Sequence, residues 1–213
     1  MKQVRKLKKI EGLPFFNSAT ISQVTDISKP FLYECIARWV KNGTLIQLKK
    51  GLYTTAVYYS NLNRKDEYTE FISNKLKYPS YLSLEYVLTK HQILSENVYA
   101  YTAVTLKTPN TYSNILGTFS YRSISYGLFT GFRIIDKGGF EIAEAFKSKA
   151  LFDYLYLKLY RKKTFTRKTI SNLRLNLDEF KKKEINEFKK YCDIVGVKKF
   201  KELPKLLFIK DDK

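Results

Sequence analysis

The stretch Asn17–Thr55, NSATISQVTDISKPFLYECIARWVKNGTLIQLKKGLYTT, decides how the first part of this chain folds. The polar pair Asn17-Ser18 can accept the free amide groups of a helix start, and it predicts a short helix that ends near Asp26. Ser28 is a good N-cap residue, and Pro30 in the first turn has no amide hydrogen bond to lose. The sequence therefore predicts a second helix directly after the first.

The second helix has an apolar face and a basic face. Apolar residues that recur at three- and four-residue spacing share the buried face: Leu32, Cys35, Ile36, Trp39 and Val40. Five residues fall on or near the opposite side: Lys29, Tyr33, Ala37, Arg38 and Lys41. Asn42-Gly43 predicts a left-handed end to this helix.

A hairpin is predicted after the second helix. The segments 45–48 and 52–55 have the composition of short strands, and Lys49-Lys50-Gly51 joins them. Two helices followed by a hairpin with lysines at its tip are the element order of a winged helix-turn-helix. That fold places its second helix in a DNA major groove and the wing beside the backbone. The alternatives are a helical core capped by a hairpin, without nucleic acid, and a winged helix that docks a protein.

Charge favours DNA as the partner. The chain of 213 residues has a formal net charge of +19, and residues 1–60 carry ten Lys and Arg against three Asp and Glu. Four residues are expected to approach base edges or flanking phosphates: Ser28, Lys29, Tyr33 and Arg38. Phosphate contacts are expected from Lys41, from Lys49 and Lys50 of the wing, and from Lys2, Arg5 and Lys6 of an amphipathic N-terminal segment.

The fold class predicted for the whole chain is α+β, with two domains. Residues 1–60 are the winged helix-turn-helix, and residues 61–213 are a mixed α/β domain with a basic helical C-terminal part. Helices are predicted over 65–77, 84–90 and 148–160, with Asp178 capping one that ends near Tyr191. Strands are predicted over 99–106, 116–123, 132–135 and 140–143.

Residues for most enzyme classes are missing. The single histidine, His91, cannot build a catalytic triad or a multi-histidine metal site, and no glycine-rich phosphate loop occurs. The two cysteines, Cys35 and Cys192, do not form a disulfide framework, which is typical of a reducing compartment. The expectation is a soluble, cytoplasmic protein that is not an enzyme, without cofactor, metal, membrane or small-molecule substrate.

One enzymatic alternative and one further binding surface stay open. A metal-dependent nuclease needs converging carboxylates and a lysine, and the carboxylates from Asp136 to Glu144 could supply them. The Glu-x-Lys triplets at 179–181 and 187–189 lie on a polar helix, where such spacing arises by chance. Residues 161–213 hold 17 Lys and Arg against eight Asp and Glu. This tail is either a solvated face or a second phosphate-contacting surface.

An ordered series of short motifs resembles a known family. The series is Lys50-Gly51-Leu52-Tyr53, Pro79-Ser80-Tyr81-Leu82-Ser83-Leu84-Glu85-Tyr86, Thr102-Ala103-Val104-Thr105, Gly117-Thr118-Phe119-Ser120-Tyr121-Arg122, Ile142-Ala143 and Lys149-Ala150-Leu151-Phe152-Asp153-Tyr154-Leu155-Tyr156-Leu157. It resembles the AbiEi family of type IV antitoxins from bacterial abortive-infection systems, over almost the whole chain. The chain has Lys147-Ser148 where members of that family commonly have Pro-Glu.

The resemblance implies an antitoxin that is also a transcriptional autorepressor in phage defence. Its winged helix would bind inverted repeats in the double-stranded DNA of its own promoter. Its C-terminal domain would counteract a toxin of the nucleotidyltransferase type, without requiring a stable complex with it. A winged-helix transcription regulator without a toxin partner is the alternative.

Overall fold

The structure is a computed structural model that describes residues 5–96 and 98–208. It is a mixed α+β fold with a helical tail. Residues 5–60, here called the N-terminal unit, contain a 3-10 helix, three helices and a small antiparallel sheet of strand order β1-β3-β2. The bounds are Leu7–Ile10 (3-10 helix), β1 Phe16–Asn17, α1 Ser18–Thr25, α2 Lys29–Lys41, β2 Leu45–Lys49, β3 Leu52–Thr55 and α3 Ala56–Ser60.

Local signals set the ends of α1 and α2 close to the predicted positions. The Asn17 side chain accepts a hydrogen bond of 2.9 Å from the Thr20 amide, which caps α1. Asp26 ends the same helix in the left-handed conformation. Pro30 lies in the first turn of α2, and Gly43, at a φ of +70°, follows its last turn. The two predicted helices are confirmed.

The predicted apolar face of α2 lies in the core of the N-terminal unit. This core contains Leu7, Ile10, Phe16, Ile21, Ile27, Leu32, Cys35, Ile36, Trp39, Leu45 and Tyr53. The N-terminal segment therefore packs its apolar residues inside the unit, because Leu7 and Ile10 are both buried. Val4 was predicted to share the apolar side of this segment with Leu7 and Ile10, and it lies outside the described residues.

Residues 61–208, here called the C-terminal unit, are built around a six-stranded mixed sheet of order β6-β7-β5-β4-β9-β8. Its strands are β4 Ser80–Leu82, β5 Ala100–Thr105, β6 Asn110–Asn114, β7 Gly117–Ser123, β8 Phe132–Asp136 and β9 Glu141–Ala145. The pairs β5–β7 and β4–β9 are parallel, and the other pairs are antiparallel.

Two of these strands were not predicted. The β4 strand has only three residues, all buried, and it precedes a helix so closely that its pattern merges with the start of that helix. The β6 strand reads Asn-Thr-Tyr-Ser-Asn and lies at the edge of the sheet, paired only with β7. An edge strand that faces water on one side carries little of the hydrophobic alternation that identifies strands in a sequence.

Six α-helices and a 3-10 helix complete the C-terminal unit among the described residues: α4 Lys65–Leu76, α5 Leu84–Lys90, the 3-10 helix Tyr126–Leu128, α6 Lys147–Leu159, α7 Arg167–Ser171, α8 Lys182–Val195 and α9 Lys198–Phe208. The prediction that Asp178 caps α8 was wrong. The N-cap residue is Lys181, whose amide donates a 2.8 Å hydrogen bond to Glu184 three residues later. In the described part of the chain, no helix has the length and apolar character needed to cross a membrane.

The two units are joined by an apolar contact and by partly buried hydrogen bonds. Leu48 of β2 belongs to the hydrophobic core of the C-terminal unit, and its carbonyl accepts a 2.8 Å hydrogen bond from the Asn114 side chain. The Tyr68 hydroxyl donates a 2.8 Å hydrogen bond to the Pro14 carbonyl. The hairpin β2–β3 is therefore held against the larger unit, a contact that the sequence did not indicate.

Candidate nucleic-acid interface and the buried polar clusters

The exposed side of α2 carries most of the residues predicted to contact DNA. Successive residues of a helix are rotated by about 100° around its axis, so the residue spacing determines which side chains share a side of the helix. The middle of the exposed side, opposite the buried stripe, contains Pro30, Glu34, Ala37 and Lys41. Lys29 and Tyr33 lie at one flank, whereas Phe31 and Arg38 lie at the other. Both aromatic side chains are open to solvent, Phe31 at 63% and Tyr33 at 64%.

Ser28 precedes α2 in an extended conformation, at the N-cap position. Its carbonyl accepts hydrogen bonds of 3.1 Å from the amides of Phe31 and Leu32. Its hydroxyl makes no capping hydrogen bond, so the predicted side-chain cap was wrong although the position was right. The exposed hydroxyl at the start of α2 keeps its hydrogen-bonding capacity for a ligand.

The cations of α2 have few internal partners. A guanidinium nitrogen of Arg38 lies 3.4 Å from the Cys35 sulfur on the same helix, which holds the side chain along the helix surface. Lys29 and Lys41 are exposed and form no ion pair with any residue that the structure describes. Their charges are therefore open to a partner with phosphate groups.

The two lysines of the hairpin differ. The Lys49 ammonium donates a 2.6 Å hydrogen bond to the Leu76 carbonyl and lies 5.9 Å from the centre of the Tyr112 ring. Lys49 therefore ties the hairpin to the C-terminal unit, and its amine is already engaged. Lys50 is exposed at the turn. The sequence placed both lysines at the tip, but only Lys50 has the open position expected of a phosphate contact.

The N-terminal segment also has one engaged lysine. The Lys6 ammonium lies 2.6 Å from an Asp26 carboxylate oxygen and 3.3 Å from the Thr25 carbonyl. The hydrogen bond and charge of Lys6 hold the pKa of Asp26 below its usual value. Arg5 is exposed, and Lys2 lies outside the described residues.

Helix α2 thus brings together five predicted site residues: Ser28, Lys29, Tyr33, Arg38 and Lys41. The sequence reasoning missed Phe31 as an exposed residue. The signal was available, because Phe31 lies outside the buried stripe and an apolar residue in such a position is expected at the surface. The partners of Lys6 and Lys49 are distant in sequence, and no local signal could have identified them.

The carboxylates considered for a nuclease have other partners. Asp136 accepts a 2.7 Å hydrogen bond from the Gly139 amide within the β8–β9 turn. Glu144 forms ion pairs with Lys90 and, at 3.8 Å, with Lys137. Over residues 5–96 and 98–208, no group of three or more His, Cys, Asp or Glu side chains is arranged to hold a metal ion.

The ion pairs of Glu144 belong to a larger cluster that also includes Glu70. The Glu70 carboxylate lies 2.7 Å from the Lys137 ammonium and 3.0 Å from that of Lys90, and it accepts a 2.6 Å hydrogen bond from the Tyr86 hydroxyl. These contacts connect α4, α5 and the β8–β9 hairpin. Two carboxylates that already face two lysines have little capacity left for a divalent cation.

A second polar cluster is completely buried. Lys149 and Asp153, one turn apart on α6, form an ion pair with no solvent exposure. Asp153 also accepts hydrogen bonds from Ser83 at 2.8 Å and from Tyr81 at 3.0 Å. Burial lowers the pKa of Lys149. Because both side chains are fully buried, these contacts connect α6 to the strand and loop that carry Tyr81 and Ser83.

Comparison with models of known protein families and with curated proteins finds no match to the chain.

Proposed function

We propose that this protein is a DNA-binding transcriptional autorepressor with a winged helix-turn-helix at its N-terminus, and an antitoxin of the AbiEi type. The observation that carries the DNA-binding part is the exposed side of α2, where Lys29, Arg38 and Lys41 accompany an exposed tyrosine. In the proposed fold α1 and α2 are the helix-turn-helix, and the hairpin β2–β3 is the wing. The opposite side of α2 is buried in the unit, so only the basic side can face a partner.

The contacts divide by their chemistry. In helix-turn-helix proteins the N-terminal residues of the second helix contact base edges, and cations elsewhere contact phosphates. Ser28, Lys29 and Tyr33 lie at the N-terminal end of α2 and are the proposed base-edge residues. Phosphate contacts are assigned to the cations that remain open: Arg5, Arg38, Lys41 and Lys50. Lys49 instead fixes the wing in place.

The antitoxin part rests on the motif resemblance, with one supporting observation. The motifs 79–86 and 149–157 are separated by more than sixty residues, yet Tyr81 and Ser83 of the first donate hydrogen bonds to Asp153 of the second. Residues of both motifs therefore form one buried cluster of the fold.

DNA binding is tested by titrating the full chain with duplex from its own promoter and with random duplex, over a series of salt concentrations. The four assigned phosphate contacts predict that log K falls with log salt at a slope of about −3.6. Promoter DNA should compete about 10³-fold better than random duplex. Equal binding of both duplexes at every salt concentration would contradict a sequence-specific repressor.

The antitoxin role is tested in cells. The neighbouring genes are first searched for a nucleotidyltransferase-like open reading frame. Its product is then expressed with and without this chain, both from foreign promoters, so that repression of the natural promoter cannot explain the result. Restored growth supports an antitoxin. Growth arrest that persists in spite of soluble expression of both proteins favours a transcription regulator without a toxin partner.

A further inference from the structure

One acidic side chain lies in the middle of the basic side of α2. Glu34 is exposed and is the single carboxylate of this helix. It forms no ion pair among the described residues, although Arg38 lies four positions later on the same helix. The Arg38 guanidinium contacts the Cys35 sulfur instead. Glu34 therefore presents an uncompensated negative charge on the surface proposed to face DNA.

Helix stability does not account for this carboxylate. An acidic side chain stabilises a helix through the helix dipole only when it lies in the first turn, and the first turn of α2 contains no acidic residue. An acid paired with a cation four residues later would also stabilise the helix, but here that pair is not formed. Near a phosphate backbone, an unpaired carboxylate weakens non-specific binding. Its position therefore needs an explanation from recognition.

The geometry of α2 places Glu34 where base edges are read. Glu34 is the sixth residue of the helix and lies in its N-terminal half, which approaches the bases in helix-turn-helix proteins. Its neighbours on the middle of the exposed side are Pro30 and Ala37, which are too short to reach as far. Cations and aromatic residues lie at the two flanks. Glu34 is the longest polar side chain between these flanks in this half of the helix.

We infer that Glu34 determines specificity by accepting a hydrogen bond from the N4 amino group of a cytosine in the major groove. This inference rests on the proposed DNA binding by α2. Cytosine offers a donor at this edge, whereas guanine offers two acceptors that repel a carboxylate. Adenine combines its donor with the N7 acceptor, which suits an amide better than a carboxylate. Glu34 thus weakens binding to all DNA and favours sites with cytosine at one position.

The test uses the full chain and Glu34→Gln, with Glu202→Gln as the matched control. Glu202 is exposed on α9, so its substitution makes the same change in net charge away from α2. Each protein selects duplexes from a random library, and the affinity for selected and random duplex is measured by fluorescence anisotropy. The wild-type sites should contain a preferred cytosine whose replacement weakens binding about tenfold.

Glu34→Gln should weaken binding to the duplexes that the wild type selects and tighten binding to random duplex. Random duplex should bind about twofold tighter, because a negative charge is removed from the surface. The preference for cytosine should disappear, and adenine should be enriched at the same position, because glutamine can bond to N6 and N7 of adenine. Glu202→Gln should keep the base preference of the wild type.

Two outcomes would contradict these claims in different ways. In the first, Glu34→Gln tightens binding to selected and random duplex equally and keeps the base preference of the wild type. In that case Glu34 is a solvated acid and the inference is overturned, while the proposed DNA binding stands. If the wild-type chain enriches no duplex, the proposed DNA-binding function is overturned, and the inference falls with it.

Discussion

Ser83 donates a 2.8 Å hydrogen bond to Asp153, seventy residues later in the sequence, and this bond joins the start of α5 to the middle of α6. Asp153 is fully buried, and its charge is balanced by Lys149 on the same helix. Tyr81 donates a second hydrogen bond to the same carboxylate oxygen. The carboxylate thus ties the central strand β4, the helix α5 and the helix α6 into one arrangement.

Removing the buried carboxylate should destabilise the C-terminal unit strongly. Asp153→Ala leaves the Lys149 ammonium without its partner inside the core, and breaking a buried ion pair in this way costs about 3–5 kcal/mol. Urea denaturation followed by circular dichroism measures the loss. The exposed Lys6–Asp26 pair is the control, and Asp26→Asn should leave the unfolding midpoint almost unchanged.

The double variant Lys149→Met with Asp153→Leu should be less destabilised than Asp153→Ala alone, because it leaves no uncompensated charge in the core. If the double variant loses as much free energy of unfolding as Lys149→Met and Asp153→Leu lose together when measured singly, the two side chains act independently.

The two hairpin lysines should give different defects. Lys50→Ala should weaken binding to promoter and random duplex equally and make the salt dependence less steep by about one unit, because a phosphate contact is lost. Lys49→Ala should instead lower the unfolding midpoint, because the Leu76 carbonyl loses its 2.6 Å hydrogen bond. Gel shifts and thermal denaturation of both variants measure these effects. Full DNA affinity in Lys50→Ala would contradict the proposed position of the wing.

Tyr33 should contribute to sequence preference without contributing to stability. Its side chain is 64% exposed, so Tyr33→Ala should unfold at the same temperature as the wild type. If the tyrosine contacts a base, its loss should reduce the preference for promoter over random duplex by about 1–3 kcal/mol. Tyr126→Ala, which removes an even more exposed ring from the C-terminal unit, is the control and should leave that preference intact.

The ion pairs of Glu70 should make stability depend on acidity. Burial raises the pKa of this carboxyl group, but hydrogen bonds from Lys137 and Tyr86 and the charge of Lys90 outweigh burial, so the pKa is lowered. Because the pKa of Glu70 is lower in the folded chain than in the unfolded chain, ionised Glu70 stabilises the fold at a pH above the pKa of the unfolded chain. That contribution is lost as the pH falls through the folded value.

The free energy of unfolding should therefore decrease as the pH falls from about 5 to about 3, and Glu70→Gln should show a weaker decrease. Urea titrations at each pH measure it. Glu141→Gln, at an exposed position of β9, is the matched control and should retain the wild-type slope. The same slope in Glu70→Gln as in the wild type would rule out this carboxylate as the origin.

The C-terminal unit should fold without the N-terminal unit, but less stably. A fragment of residues 61–213 has its own sheet and helices, whereas Leu48 and the hydrogen bonds to Pro14 and Leu48 are lost. We expect it to unfold cooperatively at a lower temperature than the full chain and to lose promoter binding. By the proposed antitoxin role, it should still protect cells from the toxin at least in part. Protection by residues 1–60 alone would contradict that division of roles.

The sequence alone determined the helices α1 and α2 and the basic side of α2. These features depend on interactions between residues that are close in sequence. They are the Asn17 cap of α1, Pro30 in the first turn of α2, Gly43 after the last turn of α2, and an apolar stripe of helical period. Most of the candidate site followed from the same pattern, because a stripe that is buried defines the side that is exposed.

Only the tertiary structure decided which polar side chains are already engaged. Lys49 and Lys6 have the same sequence signature as the open cations Lys50 and Arg5, yet each has a partner twenty or more positions away. Lys149 and Asp153 are four residues apart on α6, and it is the packing of α6 that buries the pair completely. Contacts between distant segments arise when the chain closes around a core, and no local pattern encodes them.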